Sequence, residues 1–125
     1  MDLTLQKPGD HHFIRSVSDQ GIRVVDDWYQ VPLIISASKL ISDWKIDQFD
    51  MISERELDPI FDQSPDVVLL GTGSKQKFLP PEKMMFFYQR GIGAEVMSTD
   101  AACRTFNVLV SEERRVVAAL LPLTV

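Results

Sequence analysis

A chain of 125 residues is the size of one domain, enough for a single continuous core and too short for two. Hydrophobic residues make up 45% and charged residues 25%, an ordinary globular composition that sets aside both a disordered chain and a membrane-embedded one. The formal net charge is −5 and the lysines and arginines are scattered, so no basic surface is available to displace counterions from phosphates, and nucleic acid is not expected as a partner.

In chain order, His12 to Ser18 and Ile22 to Val25 are β-rich runs around Asp19-Gln20-Gly21, which predicts an N-terminal β-hairpin. Val31-Pro32-Leu33-Ile34-Ile35 is apolar and β-branched. Pro32 has no N–H to donate to a ladder, so the strand is expected to start at or just after it. Trp44-Lys45-Ile46 alternates like a short strand. Ser53 and Glu56 then have the spacing of a capping box, predicting a helix from Glu54 to Phe61 with Leu57, Ile60 and Phe61 on one face.

Asp66 to Leu70 is nearly continuous in apolar residues and runs into Gly71-Thr72-Gly73, the pattern of a strand covered on both faces. Pro80-Pro81-Glu82 opens a helix with Met84, Phe87 and Tyr88 at helical spacing, and Gly91 supplies its stop. Ala94 to Met97 reads as a strand. Ser98, Thr99 and Asp100 offer capping oxygens and a first-turn acid to a helix expected from about Asp100 to Ser111, with Ala102, Phe106, Leu109 and Val110 apolar. Val116 to Leu121 closes a β-α-β-α-β half, with the small Ala118 and Ala119 allowing close helix approach. Glu112-Glu113-Arg114-Arg115 before it reads as a solvated turn. The expected fold class is α/β: a single domain over residues 1–125 with a central mixed sheet, helices packed on it and the hairpin in front.

Compartment follows from what the chain lacks. Its longest apolar runs, Val31 to Ile35 and Val116 to Leu123, are far below the roughly 20 residues of a membrane span, and Met1-Asp2-Leu3-Thr4 does not have the order of a secretory signal. One cysteine, Cys103, cannot close an internal disulfide, which fits a reducing, cytoplasmic setting.

Chemistry is sparsely encoded. Gly71-Thr72-Gly73-Ser74-Lys75 at the end of a buried strand reads either as a tight turn or as a cradle for an anion. Gln76 stands where a dinucleotide or phosphate loop needs glycine. Thr99, Asp100, Arg104, Thr105 and Asn107 gather polar groups at a strand-to-helix junction, as a capped helix or as a ligand or partner contact. Cys103 reads as a buried structural thiol, since neither His11 nor His12 is near it in sequence. Those two histidines would point to opposite faces of a strand and are expected at the surface. No metal or other cofactor is expected. Trp28, Tyr29, Trp44, Phe86 and Phe87 give more aromatic area than a small core needs, and any of them left exposed would anchor an interface.

The stretch Val68 to Gly73, the helix end Arg90-Gly91-Ile92-Gly93 and the run Glu95 to Leu109 together resemble the Mth-type domain family. That family takes in bacterial proteins, a mitochondrial respiratory complex I assembly factor and an adipogenesis-associated animal protein. The resemblance spans nearly the whole chain. It implies a three-layer α/β fold, no established catalytic activity and, for the mitochondrial relative, a scaffolding role in assembly of the respiratory NADH dehydrogenase. The family's recurrent positions fall here on Gly71, Thr72, Gly73, Met97, Thr99, Ala101, Ala102, Arg104, Thr105 and Asn107. Phe106 stands where tyrosine is common and removes a hydroxyl.

Two functions follow as expectations. The favoured one is a non-enzymatic domain that binds a protein client or assembly partner through an exposed apolar surface. The other is a small-molecule or anion-binding domain, or an enzyme, with Gly71, Thr72, Gly73, Lys75, Thr99, Arg104 and Asn107 lining a cleft at the carboxyl ends of the strands. That second reading requires open space between the Gly71 turn and the Thr99 cap.

Overall fold

The computed structural model describes residues 11–123, so the reading of the Met1 start and the outer limits of the 1–125 domain lie outside it. Among the described residues, eight strands and three α-helices follow one another, with two 3-10 turns between β5 and α1. The strands are β1 (Ile14–Ser18), β2 (Gly21–Val24), β3 (Asp27–Tyr29), β4 (Leu33–Ile35), β5 (Leu40–Ile41), β6 (Val67–Thr72), β7 (Gly93–Met97) and β8 (Val116–Leu121). The helices are α1 (Asp58–Phe61), α2 (Pro81–Tyr88) and α3 (Thr99–Ser111). A five-stranded sheet has the order β5-β4-β8-β6-β7, and a three-stranded antiparallel sheet has the order β1-β2-β3.

The larger sheet is mixed. β6 pairs in parallel with β7 and β8, while β4 runs antiparallel to β8 and to β5. Because successive side chains in a strand point to opposite faces, each central strand feeds two cores. Ile34, Val68, Leu70, Val117, Ala119 and Leu121 face a layer built from α2 and the 44–61 segment, centred on Phe87, Trp44 and Leu57. Leu33, Ile35, Leu69, Val116, Ala118 and Leu120 face α3 and the small sheet, where Phe106, Cys103, Ile14 and Ile22 are buried. Burying Phe87 and Phe106 completely contributes about 1.5–3 kcal/mol each relative to leaving them in water. The alanines predicted to let a helix approach lie at the middle of β8, and Ala118 belongs to the core that α3 closes.

The expected hairpin is the first two strands of the small sheet, with Ser18 opposite Gly21. β3 extends it, an addition the sequence did not announce, since Asp27 and Trp28 are both exposed there. The short strand expected at Trp44-Lys45-Ile46 does not form. Trp44 instead turns inward from a loop and donates its indole N–H to the Glu56 carbonyl at 2.7 Å. The capping box closes as anticipated: Ser53 N–H donates to the Glu56 carboxylate at 2.8 Å and Glu56 N–H to Ser53 Oγ at 3.2 Å. The helix behind it is not continuous. A 3-10 turn (Arg55–Leu57) precedes α1 because Pro59 has no N–H to give back to Arg55.

In α2, Phe87 is core, but Tyr88, expected on the same face, is 52% exposed. α3 begins one residue earlier than predicted, capped by Ser98, whose hydroxyl accepts from Ala101 N–H at 3.3 Å. Asn107 on α3 fastens the small sheet: its side chain accepts from Ile14 N–H at 2.9 Å and donates to Ile14 O at 2.8 Å.

Candidate functional site

The carboxyl ends of β6 and β8 meet the start of α3, and there the residues singled out by sequence converge. Gly71 is not in a turn; it is a strand residue of β6 in contact with α3. A methyl group there would lie 2.9 Å from Leu120 Cδ2 and 3.0 Å from both Cα and Oγ1 of Thr99, so glycine is what lets helix and strand come this close. The chain leaves the strand at Gly73, whose φ of 98° only glycine adopts without strain.

Hydrogen bonds fill the space between turn and cap. Gly73 N–H donates to Thr99 Oγ1 at 2.8 Å, Thr99 N–H returns to Gly73 O at 2.9 Å, and the Thr99 hydroxyl donates to Leu121 O. Thr72 Oγ1 donates to Lys75 O at 2.6 Å and accepts from Lys77 N–H at 3.0 Å. An anion cradle needs unclaimed N–H groups, whereas the Gly73 amide is already satisfied. Thr72, Thr99 and Asn107 are buried, and Asn107 is engaged with Ile14 on the side of the small sheet. The expected cleft between the Gly71 turn and the Thr99 cap is thus a closed junction. Lys75 and Arg104 stand exposed beside it, Arg104 paired with Asp100 at 3.1 Å.

What this junction does is position the loop after β6. With residues 75 and 77 tied to Thr72, the next residues pass along the end of β8 and form one wall of an open cleft of about 680 Å³. Lys77, Phe78 and Pro80 come from that loop, Leu121 from β8, Pro32 from the entry to β4, and residues 46–50 from the opposite segment. The size falls in the range of roughly 300–1,000 Å³ typical of binding clefts. Phe78 is 72% exposed on its wall, and Met51, next to the lining residue Asp50, is 68% exposed. Both are large apolar side chains left open to solvent at the edge of the cleft, the kind of residue that can anchor a partner.

The sequence names none of these cleft residues as candidate binding residues, although Pro32, Ile46, Pro80 and Leu121 fall in elements it predicts. The available signal was Phe78 itself, a lone aromatic among Lys75, Gln76 and Lys77 in a stretch with no apolar period. Of the aromatics that were singled out, Trp44 and Phe87 are core, Phe86 and Tyr29 are partly buried, and Trp28 is 45% exposed on β3.

Cys103 is fully buried on α3, and burial, with Asp100 adding in the same direction, pushes its thiol well above the ordinary range. His11 and His12 are each partly exposed, and the Nδ1 of His12 is 3.0 Å from Ser36 O. Among the described residues, no group of His, Cys, Asp or Glu is placed to hold a metal ion, and no helix is long and apolar enough to cross a membrane.

Known proteins share this architecture. A structure from Bordetella parapertussis superposes with a TM-score of 0.83 at 31% identity, covering 91% of this chain and 98% of that one. A Bordetella pertussis protein described as a Mth938-like domain gives 0.79 at 26% identity, covering 98% and 93%. By sequence, the 13 kDa major membrane protein of Francisella tularensis subsp. holarctica (strain LVS) is 38% identical over 89 residues, which is 70% of this chain and 72% of the relative. The NADH dehydrogenase (ubiquinone) 1 alpha subcomplex assembly factor 3 of Xenopus tropicalis is 35% identical over 112 residues, 88% of this chain. This chain spans 61% of the length of that relative. The family model for proteins of unknown function DUF498/DUF598 matches residues 14–121, nearly all of the described fold, and the chain belongs to that family.

Proposed function

We propose that this chain is a protein-interaction domain of assembly-factor type, working in the cytoplasm on assembly of the respiratory NADH dehydrogenase, and that it grips its client at the cleft between Phe78 and the 46–50 segment. The observation that carries the reading is the exposure of Phe78, 72% open to solvent on the wall of a cleft beside the junction that the buried Thr72 and Thr99 tie together. Relatives named as assembly factors for that enzyme supply its biological direction. Interface energy concentrates in a few aromatic anchors surrounded by near-neutral contacts, so one such residue is enough to test it.

The test is affinity purification of the tagged protein from its native cell beside a Phe78→Asp variant, with co-purifying proteins identified by mass spectrometry. Subunits of the NADH dehydrogenase are expected with the native protein and lost with the variant, whose substitution at an exposed position leaves the fold intact. Recovery of the same proteins by both would remove the cleft from the account. Recovery of no NADH dehydrogenase subunit would remove the assembly role.

A further inference from the structure

The cleft has a second property that its apolar rim does not explain: charge. Between Asp43 and Asp62 the chain carries seven acids against two bases, Lys45 and Arg55, so this segment alone accounts for the formal excess of −5. Not all of that charge is spent internally. Glu56 is bound to the Ser53 and Asp47 amides, and Glu54 is paired with Arg90 at 2.7 Å. Asp47 and Asp50 line the cleft, are exposed, and make no ion pair among the described residues. Lys77, on the facing loop, is the one lining cation among the described residues. One wall of the cleft is therefore acidic, and apart from Gln48 and Lys77 the rest of the lining is apolar.

Resting on the interaction reading above, we propose that the occupant is a segment of a partner protein in which apolar side chains alternate with lysine or arginine. The apolar side chains enter against Phe49, Phe78 and Leu121, and the basic groups lie over Asp47 and Asp50. Complementary charge of this kind sets which partner is accepted and how fast it arrives more than it sets raw affinity. It also disfavours anionic lipid, whose headgroups would meet the acidic wall. The partner is thus a basic amphipathic peptide segment rather than a membrane surface.

The probe is a fluorescently labelled nine-residue peptide of alternating leucine and lysine, compared with a leucine–glutamate peptide of the same length and with vesicles of phosphatidylcholine and phosphatidylglycerol. Binding is read by anisotropy, or by co-sedimentation for the vesicles. The leucine–lysine peptide is expected to bind at least about tenfold more tightly than the leucine–glutamate one. The paired substitution Asp47→Asn and Asp50→Asn should weaken it by about five- to tenfold and flatten its salt dependence, as expected for two exposed ion pairs. Phe78→Ala should weaken it by about tenfold.

Equal binding of both peptides, each lost in Phe78→Ala, would overturn the charge inference and leave the apolar surface standing. Leucine–lysine binding untouched by Phe78→Ala, or no binding of that peptide at all, would overturn the inference, and the first of these would also count against the cleft. Capture by the anionic vesicles in preference to the peptide would replace the protein segment with a membrane.

Discussion

Thr99 is one hydroxyl with three duties. It caps the turn at Gly73, holds the last residue of β8, and packs its Cα against a position where only glycine fits. Thr99→Val keeps the shape but leaves the Gly73 amide and the Leu121 carbonyl without partners in a buried place. The cost of such orphaned groups is about 1–3 kcal/mol, so the urea midpoint should fall accordingly, and Thr99→Ser, which restores the hydroxyl, should recover most of it. Gly71→Ala attacks the same junction through sterics. Its methyl must push back the Thr99 backbone, and overpacking of this kind typically costs about 1–3 kcal/mol. A valine variant as stable as the native protein would mean that the junction is not what holds the Phe78 loop. The sequence pointed to Gly71, Thr72 and Gly73 as the end of a buried strand and to Thr99 as a strand-to-helix junction, and the family resemblance marked the same positions, but it could not distinguish a ligand cradle from a structural joint. Both require glycine and a hydroxyl; what separates them is whether the hydroxyl is turned toward the amide, and that is fixed only by tertiary packing.

At the level of elements, the 44–61 segment owes its shape to one side chain rather than to periodicity. The Glu56 carboxylate accepts from the Ser53 and Asp47 amides at 2.8 and 3.1 Å, while its carbonyl takes the Trp44 indole. Glu56→Ala should therefore loosen the acidic wall of the cleft as a unit. The Asp47 and Ser53 amides are expected to exchange with solvent faster by about tenfold or more, with a stability loss of about 0.5–2 kcal/mol typical of lost capping groups, while amides of β6 and β8 move only with global stability. Unchanged exchange at Asp47 would show that the wall is held by its apolar contacts alone. The same segment explains where sequence reading stopped. β6, α3 and β8 were readable because burial on both faces or one face writes a continuous or 3.6-residue pattern into the chain. β5 is two residues long and β3 is exposed, so neither has a pattern to read. Trp44-Lys45-Ile46 alternates for a different reason: its indole is turned inward by the Glu56 carbonyl. The cleft was invisible because its walls come from positions 32, 46–50, 77–80 and 121, and adjacency across such distances is a property of the sheet order alone.

For the molecule as a whole, Cys103 gives a handle on how global stability responds to pH. The thiol is fully buried between α3 and the sheet, and desolvation, followed by the nearby Asp100, raises its pKa in the folded state; Arg104 acts weakly in the opposite sense. In the unfolded chain the same thiol ionises near pH 8.5. Below that value both states hold the proton and the group is silent. Above it the unfolded state sheds a proton that the folded state retains, so the unfolded state is favoured progressively as pH rises. The slope approaches about 1.4 kcal/mol per pH unit for a single group, until the folded thiol would itself ionise. Lysines and tyrosines titrate in the same region, so the slope must be isolated by difference. Cys103→Ala lowers the plateau at neutral pH by opening a small void in the core, but it has no thiol to titrate. Denaturation midpoints of the two proteins measured from pH 7 to pH 10.5 should therefore converge as pH climbs past 8.5. Native Cys103 should also react with a thiol reagent only at the rate at which the whole fold opens, because its side chain is fully buried in the core that α3 shares with the sheet. Parallel stability curves, or rapid labelling of the native protein at neutral pH, would mean that α3 lifts from the sheet on its own, and the junction at Gly71 and Thr99 would then be its hinge.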